Sequence, residues 1–399
     1  MADANPVLRL KPGRDKSLRQ RHPWIFSGAI GSVDGPLARG ETVDVHTADG
    51  ALIARAAFSP ESQIRARVWT FDADDTVDSA FIARRIARAV AARAPMLDRR
   101  HTGCRLIHGE SDGLPGVIAD RYADTVVLQL SSAGAERWRD AIIDALVAAT
   151  SAACVYERSD AEVRKLEGMP PRTGVAHGKL PEIVTFVEDG IVYRVDAVGG
   201  QKTGFYLDQR DSRAAVRAIA ASRDVLNVFS YSGAFALAAL AGGAASVVSI
   251  DSSEAALALG RENLERNPEL PADRAEWREA DAFAELRRMR DRGLGFDLIV
   301  LDPPKFAPTL AHAERASRAY KDVNLWALKL LRPGGMLASF SCSGGIDAAL
   351  FRKIVAGAAL DAGADAAVIG HFAAAADHPV SLAFPEGDYL KGLLIRKAR

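Results

Sequence analysis

The chain has 399 residues, 51 Lys+Arg against 51 Asp+Glu, 48% hydrophobic residues and three cysteines. That length suits two or three domains at about 150 residues each, and the apolar share is ordinary for a globular protein. Zero net charge excludes a chain-wide polyanion-binding surface, so any basic surface is local; scattered cysteines without a CxxC argue against a disulfide framework or a zinc site.

The start of the chain, MADANPVLRLKPGRDKSL, lacks the apolar core of a signal peptide. No run reaches the ~18 apolar residues of a membrane helix. The expectation is a soluble, cytoplasmic protein with no membrane or metal partner. A homodimer is compatible with it.

Residues 1–73 read as short strands punctuated by Gly40, Gly50 and Pro60, with examples at Thr42–His46, Leu52–Phe58 and Ile64–Phe71. The first segment is basic: Arg9, Lys11, Arg14, Lys16, Arg19 and Arg21 face only Asp3 and Asp15. Trp24 and Phe26 follow. Cations beside aromatics suit phosphate contact and base stacking; the two rings fit a β-domain core equally well. Residues 74–195 differ. Ala80–Ala94 carries apolar positions at helical spacing. Strands at Cys104–Gly109, Gly116–Asp120, Val126–Leu130 and Ala153–Arg158, with a helix near Ala135–Ala149, make an α+β domain. Pro170–Pro181 is expected to loop out before a hairpin at Ile183–Val187 and Ile191–Val195.

From 196 to 399 apolar strands alternate with helices. Strands are expected at Val225–Phe229, Ser246–Asp251, Ala275–Asp281, Phe296–Asp302, Gly335–Cys342, Asp365–His371 and Leu390–Arg396. Helices are expected at Ala234–Leu240, Ser253–Arg266, Phe283–Arg290, Ala316–Leu331 and Asp347–Leu360. This alternation predicts a doubly wound α/β sheet, mostly parallel, with ligands beyond the carboxyl ends of its strands.

The residues at those ends carry the functional reading. After the first strand, Asn227 to Phe235 holds a single glycine, Gly233, and is no dinucleotide fingerprint. A one-glycine turn suits a smaller, cationic ligand better than a pyrophosphate. Asp251 follows the second strand, where an acid accepts ribose hydroxyls; it fits a helix N-cap about as well. Asp281 follows the third strand with the same two readings. Two acids without a phosphate loop describe S-adenosylmethionine better than a nicotinamide dinucleotide. After the fourth strand, Asp302-Pro-Pro-Lys305-Phe306 forms a stiff loop, since two prolines fix φ and remove two donors. Such a loop can hold a flat base edge, with Asp302 accepting from an amine and Lys305 contacting phosphate. The run Gly200–Asp211, with Phe205 and Tyr206, reads either as a segment that closes over a cofactor or as an exposed loop.

The fifth strand ends in Ser339-Phe-Ser-Cys342-Ser-Gly-Gly345. A thiolate that adds to carbon 6 of a pyrimidine makes carbon 5 an enamine-like nucleophile, which accepts an electrophilic methyl group. Cys104 and Cys154 read as buried apolar residues and Cys342 as this nucleophile. For the base, Asp302 and His378, in Asp377-His378-Pro379, are the candidates.

Arg21–Gly28 (RHPWIFSG), GESDGLPG (109–116), KTGFYLDQRDSR (202–213), DPPKF (302–306), FSCSG (340–344) and DHP (377–379) occur in this order. Together they resemble the RlmI-type 23S ribosomal RNA (cytosine-5) methyltransferases over nearly the whole chain. The resemblance implies an N-terminal PUA domain at 1–73 that binds RNA through Arg14, Lys16, Arg19, Arg21 and Trp24. It implies a middle domain at 74–195 and a Rossmann-like methyltransferase domain at 196–399. It places S-adenosylmethionine among Asn227, Phe229, Ser230, Gly233, Asp251, Asp281 and Asp302, with Phe205, Tyr206 and Gln209. It makes Cys342 the attacking thiol, assisted by Asp302, Lys305 and His378, and large-subunit ribosomal RNA the substrate. Lys305 stands where many RNA cytosine-5 methyltransferases carry a second cysteine, so one thiol must both attack and leave. The rival readings are a base-amine or ring-nitrogen RNA methyltransferase using the Asp-Pro-Pro loop, and a non-catalytic ribosomal RNA assembly factor. A dehydrogenase lacks its phosphate-cradling glycines here.

Overall fold

A computed structural model describes residues 5–306 and 313–398, which form two compact units. One contains residues 1–187, 195–207 and 376–387; the other contains 188–194, 208–375 and 388–399. Segments 195–207 and 376–387 therefore group with the N-terminal part of the chain rather than with the expected 196–399 domain. Polar bonds explain why. Thr203 donates to Asp120 at 2.5 Å, and Asp377 accepts the Arg105 backbone N–H at 2.8 Å.

In the first unit, six short strands between Val7 and Thr70 form one sheet. Thr42–His46 alternates, with Val43 and Val45 buried, so one face of the pleat is apolar. Those valines join Leu8, Leu10, Ala56 and Val68 in a core. A five-stranded sheet follows, with Gly103–His108, Val117–Tyr122, Thr125–Leu130, Cys154–Ser159 and Arg172–Gly178 in spatial order. The helix Ser79–Arg93 covers it with Phe81, Ile82 and Ile86. Asp78 caps this helix, accepting the Phe81 N–H at 2.7 Å.

Two expectations change here. The helix near 135–149 is two helices, Ala133–Arg137 and Arg139–Thr150, which meet at Trp138. The stretch 170–181 is no loop, because Arg172–Gly178 pairs antiparallel with Cys154–Ser159. An edge strand needs partners on one side only, so flanking prolines do not forbid it.

The second unit is a seven-stranded sheet. Its strands are β1 (Asp224–Val228), β2 (Ser246–Asp251), β3 (Ala275–Glu279), β4 (Phe296–Leu301), β5 (Leu331–Ser341), β6 (Ala366–Ala373) and β7 (Lys391–Lys397). The spatial order is β3-β2-β1-β4-β5-β7-β6. Pairs from β3 to β5 are parallel; β7 is antiparallel to both neighbours. Central strands read as unbroken apolar runs because helices cover both faces: Leu298 through Leu301 are wholly buried. The helices are α1 (Arg210–Ile219), α2 (Ala234–Ala241), α3 (Glu254–Glu265), α4 (Ala282–Asp291), α5 (Ala313–Leu330) and α6 (Ala348–Ala362). Strand order reverses between β1 and β4, which puts the ligand crevice at their carboxyl ends. Among the described residues no helix is long and apolar enough to cross a membrane.

Candidate active site

The turn after β1 bends through left-handed backbone at Phe229 (φ 60°), Tyr231 (φ 45°) and Gly233 (φ 74°). Gly233 adopts that backbone freely, but Phe229 and Tyr231 are strained there and need outside support. Asp251, at the end of β2, supplies it: one carboxylate oxygen accepts the Tyr231 N–H at 2.8 Å, the other the Ser253 N–H at 3.0 Å. Ser253, rather than Asp251, is the N-cap of α3. Asp281 is the N-cap of α4, with one oxygen accepting the Ala284 N–H at 2.9 Å. Asp251 is half-buried and Asp281 exposed.

The end of β1 and this turn hold polar atoms without hydrogen-bond partners among the described residues. Asn227 and Ser230 are buried, and Asn227 Nδ2 and Ser230 Oγ find no hydrogen-bond partner among the described residues. Gln209 Oε1, at the start of α1, is buried in the same condition. An unpaired buried donor costs about 1–3 kcal/mol. Two donors and an acceptor in that state suit a polar ligand, and a nucleoside with an amino acid end carries the groups to satisfy them.

Gly233 serves packing as well as turn geometry. A Cβ there would lie 2.4 Å from the Trp277 ring of β3, and one at Gly260 would lie 2.5 Å from it. Trp277 thus packs between two glycines, a feature that sequence reading missed because the three residues lie on separate elements. Gly233→Ala is expected to cost roughly 2–4 kcal/mol, from left-handed strain plus overpacking. A fall in thermal midpoint, with weaker S-adenosylmethionine binding by calorimetry, checks this.

Aromatic rings line the mouth of the crevice. Phe229 and Phe283 have centroids 6.4 Å apart, Phe229 and Phe306 6.4 Å, and Phe283 and Phe306 6.1 Å. Phe306 ends the Asp-Pro-Pro-Lys loop, where Asp302 is half-buried while Pro304 and Lys305 are exposed. Residues 307–312, which follow this loop, lie outside the described residues.

Cys342 follows β5 directly. It is half-buried, whereas Cys104 and Cys154 are fully buried. Burial pushes the Cys154 thiol up, as suits an inert core sulfur. Around Cys342, the Tyr320 hydroxyl of α5 lies 2.9 Å from Ser343 Oγ, and Lys391 of β7 donates to the Ser343 and Ile346 carbonyls. Burial pushes the Tyr320 phenol up, so that group stays neutral.

The run 202–213 divides. Phe205 is buried in the first unit against Phe186, with centroids 4.8 Å apart, so its ring is committed to packing. Tyr206 lies under the Lys202 ammonium, 4.2 Å from its ring centroid. Arg213, in the second unit, forms a buried two-point ion pair with Glu188 at 2.5 and 2.7 Å. His378 sits in the first unit and is 3% exposed. Its Nδ1 lies 3.1 Å from Asp377, and its ring centroid is 5.2 Å from that of His108.

Of the basic N-terminal residues, Arg14 and Lys16 are exposed and line an open cavity of about 510 Å³ with Gln20 and Phe26. Arg19 pairs with Asp15, and Arg21 lies over Phe71. Trp24 is held rather than offered: its indole N–H donates to Glu110 at 2.8 Å, and Phe384 packs on it. The exposed ring is Phe26, which sequence reading could not separate from Trp24; its exposure is 50%.

A family profile described as S-adenosylmethionine-dependent methyltransferase matches residues 172–394, and one described as PUA-like domain matches residues 8–71. The chain is 51% identical over 391 residues to "Ribosomal RNA large subunit methyltransferase I" of Shewanella amazonensis, covering 98% of each protein. It is 50% identical over 391 residues to the protein of that name from Aliivibrio fischeri, again covering 98% of each. Among solved structures it resembles a putative S-adenosylmethionine-dependent methyltransferase from Streptococcus mutans, with a TM-score of 0.83 and 22% identity, covering 98% of this chain and 99% of that one. A second, SMU.776, described as a putative methyltransferase complexed with S-adenosylhomocysteine, gives a TM-score of 0.85 at 22% identity with the same coverage.

Proposed function

The chain belongs to the S-adenosylmethionine-dependent large-subunit ribosomal RNA methyltransferases, and we propose that it forms 5-methylcytosine in 23S ribosomal RNA through a bond from Cys342 to carbon 6 of the base. The observation that carries this reading is the position of Cys342. It is the half-buried thiol of the chain, one residue beyond β5, and β5 pairs with β4, which leads into the Asp-Pro-Pro-Lys loop.

Carbon 5 of cytosine is too weak a nucleophile to take a methyl group unaided. The Cys342 thiolate adds to carbon 6, and the electron pair of the 5,6 double bond moves to carbon 5. S-adenosylmethionine, when bound, supplies the sulfonium methyl group that carbon 5 accepts. Asn227, Ser230 and Gln209 would hold the cofactor through their unsatisfied buried atoms, and Asp251 and Asp281 would accept from its hydroxyls and adenine amine. Pro303 and Pro304 fix the base edge. Asp302, half-buried at the root of that loop, takes the carbon 5 proton; the electron pair of that C–H bond restores the double bond and expels the Cys342 thiolate. His378, whose Nδ1 lies 3.1 Å from Asp377, is the other candidate for this proton. Lys305, exposed on the loop, contacts RNA phosphate.

Residues 1–73 bind RNA through Arg14, Lys16 and Phe26. Phe26→Ala is expected to weaken RNA binding about tenfold, a typical value for one lost stacking partner. Trp24→Ala is expected to lower stability more than affinity, because the indole is a packed, hydrogen-bonded group. Filter binding at fixed salt, with melting curves, separates the two. The overall reading is tested by mapping 5-methylcytosine in 23S ribosomal RNA from a deletion strain. One mark is expected to vanish and to return with the wild-type chain.

A further inference from the structure

Lys391 opens β7 opposite Ser341, the residue before Cys342. The side chain is half-buried, and Nζ donates to the carbonyl of Ser343 at 2.9 Å and of Ile346 at 2.6 Å. Those carbonyls bracket the turn just beyond Cys342. An ammonium has three donors, and these bonds use two.

Burial pushes the Lys391 amine below the usual lysine range. A charge kept in such a place is costly, and its neighbours show what it serves. Asp388 just before β7, Cys342 after β5 and Asp347 at the start of α6 all favour the charged amine, and Lys305 opposes it. The Tyr320 phenol of α5, kept neutral by burial, also interacts with Cys342 and with Asp302 and brings no positive charge.

We propose that Lys391 is a positioning residue for Cys342: its ammonium holds the 343–346 turn in place and favours the ionised form of the thiol. The proposal rests on the reading of Cys342 as nucleophile. The thiol proton passes to water; Lys391 keeps its own proton and acts through charge and through its grip on the turn.

The test uses the full chain without RNA or cofactor. Iodoacetamide alkylation of Cys342 is followed against pH by mass spectrometry of its peptide. Wild type is expected to titrate below the ordinary thiol value of ~8.5. Lys391→Gln, which keeps a donor but loses the charge, is expected to raise the midpoint by about one pH unit and slow alkylation at pH 7 about tenfold. Lys391→Arg is expected to titrate near wild type, and melting curves confirm that each variant folds. A Lys391→Gln profile that overlays wild type overturns the proposal, as does a Lys391→Arg profile that follows Lys391→Gln. Failure of the nucleophile reading shows elsewhere, as methylation that survives Cys342→Ala.

Discussion

Cys342→Ala is expected to lower methyl transfer at least ~10³-fold, because a nucleophile that forms the covalent intermediate has no substitute in the site. Binding of S-adenosylmethionine is expected to stay within about twofold of wild type, since the partnerless atoms of Asn227, Ser230 and Gln209 lie on other elements. The separation of the two effects is the diagnostic part. RNA carrying 5-fluorocytidine gives the second readout. Fluorine at carbon 5 cannot leave as a proton does, so the wild-type adduct stalls as a covalent complex visible on a denaturing gel. Cys342→Ala is expected to form none. A variant that methylates normally would move the chemistry to a ring nitrogen or exocyclic amine held by the Asp-Pro-Pro loop. Asp302→Asn sharpens the point: if Asp302 takes the carbon 5 proton, that variant is expected to accumulate the methylated adduct.

Arg105→Ala is expected to destabilise the protein by about 3–5 kcal/mol, the usual cost of leaving one member of a buried ion pair unpaired. Arg105 meets Asp120 at two points, both 2.7 Å, and Asp120 is wholly buried. Asp120 also accepts from the Thr203 hydroxyl, and the Arg105 backbone N–H goes to Asp377. Removing the guanidinium strands a carboxylate with one hydroxyl as its remaining side-chain partner in that pair of bonds. Urea denaturation followed by fluorescence measures the loss. Arg105→Lys is expected to recover only part of it, because a point charge cannot make two parallel bonds. A loss under about 1 kcal/mol would show that water reaches Asp120 and that the pair is not closed.

Much of the second unit was legible in the sequence. Ser246–Asp251 forms the expected strand with the same ends, and the other strands shift by a few residues. The reason is local: a parallel sheet covered on both faces needs unbroken apolar strands, and the alternation with helices leaves few topologies. Asp281 caps its helix as the sequence allowed, whereas the cap after β2 is Ser253 and not Asp251. The edge strand Arg172–Gly178 was not legible, because its pairing with Cys154–Ser159 is its only reason to be extended.

The candidate site divides along the same line. The sequence by itself determined the strand-end positions of Asn227, Asp251, Asp281, Asp302 and Cys342, since period and chain order place residues at the ends of strands. Only the tertiary structure decided what each side chain does there. Asp251 braces the Phe229–Gly233 turn, and the glycine of that turn makes room for Trp277. Phe26, not Trp24, is the exposed ring, and Lys391, which no motif singled out, reaches the turn after Cys342. These assignments depend on which atoms find partners across elements far apart in the chain. Burial and hydrogen-bond satisfaction are properties of the packed molecule, and no local pattern encodes them.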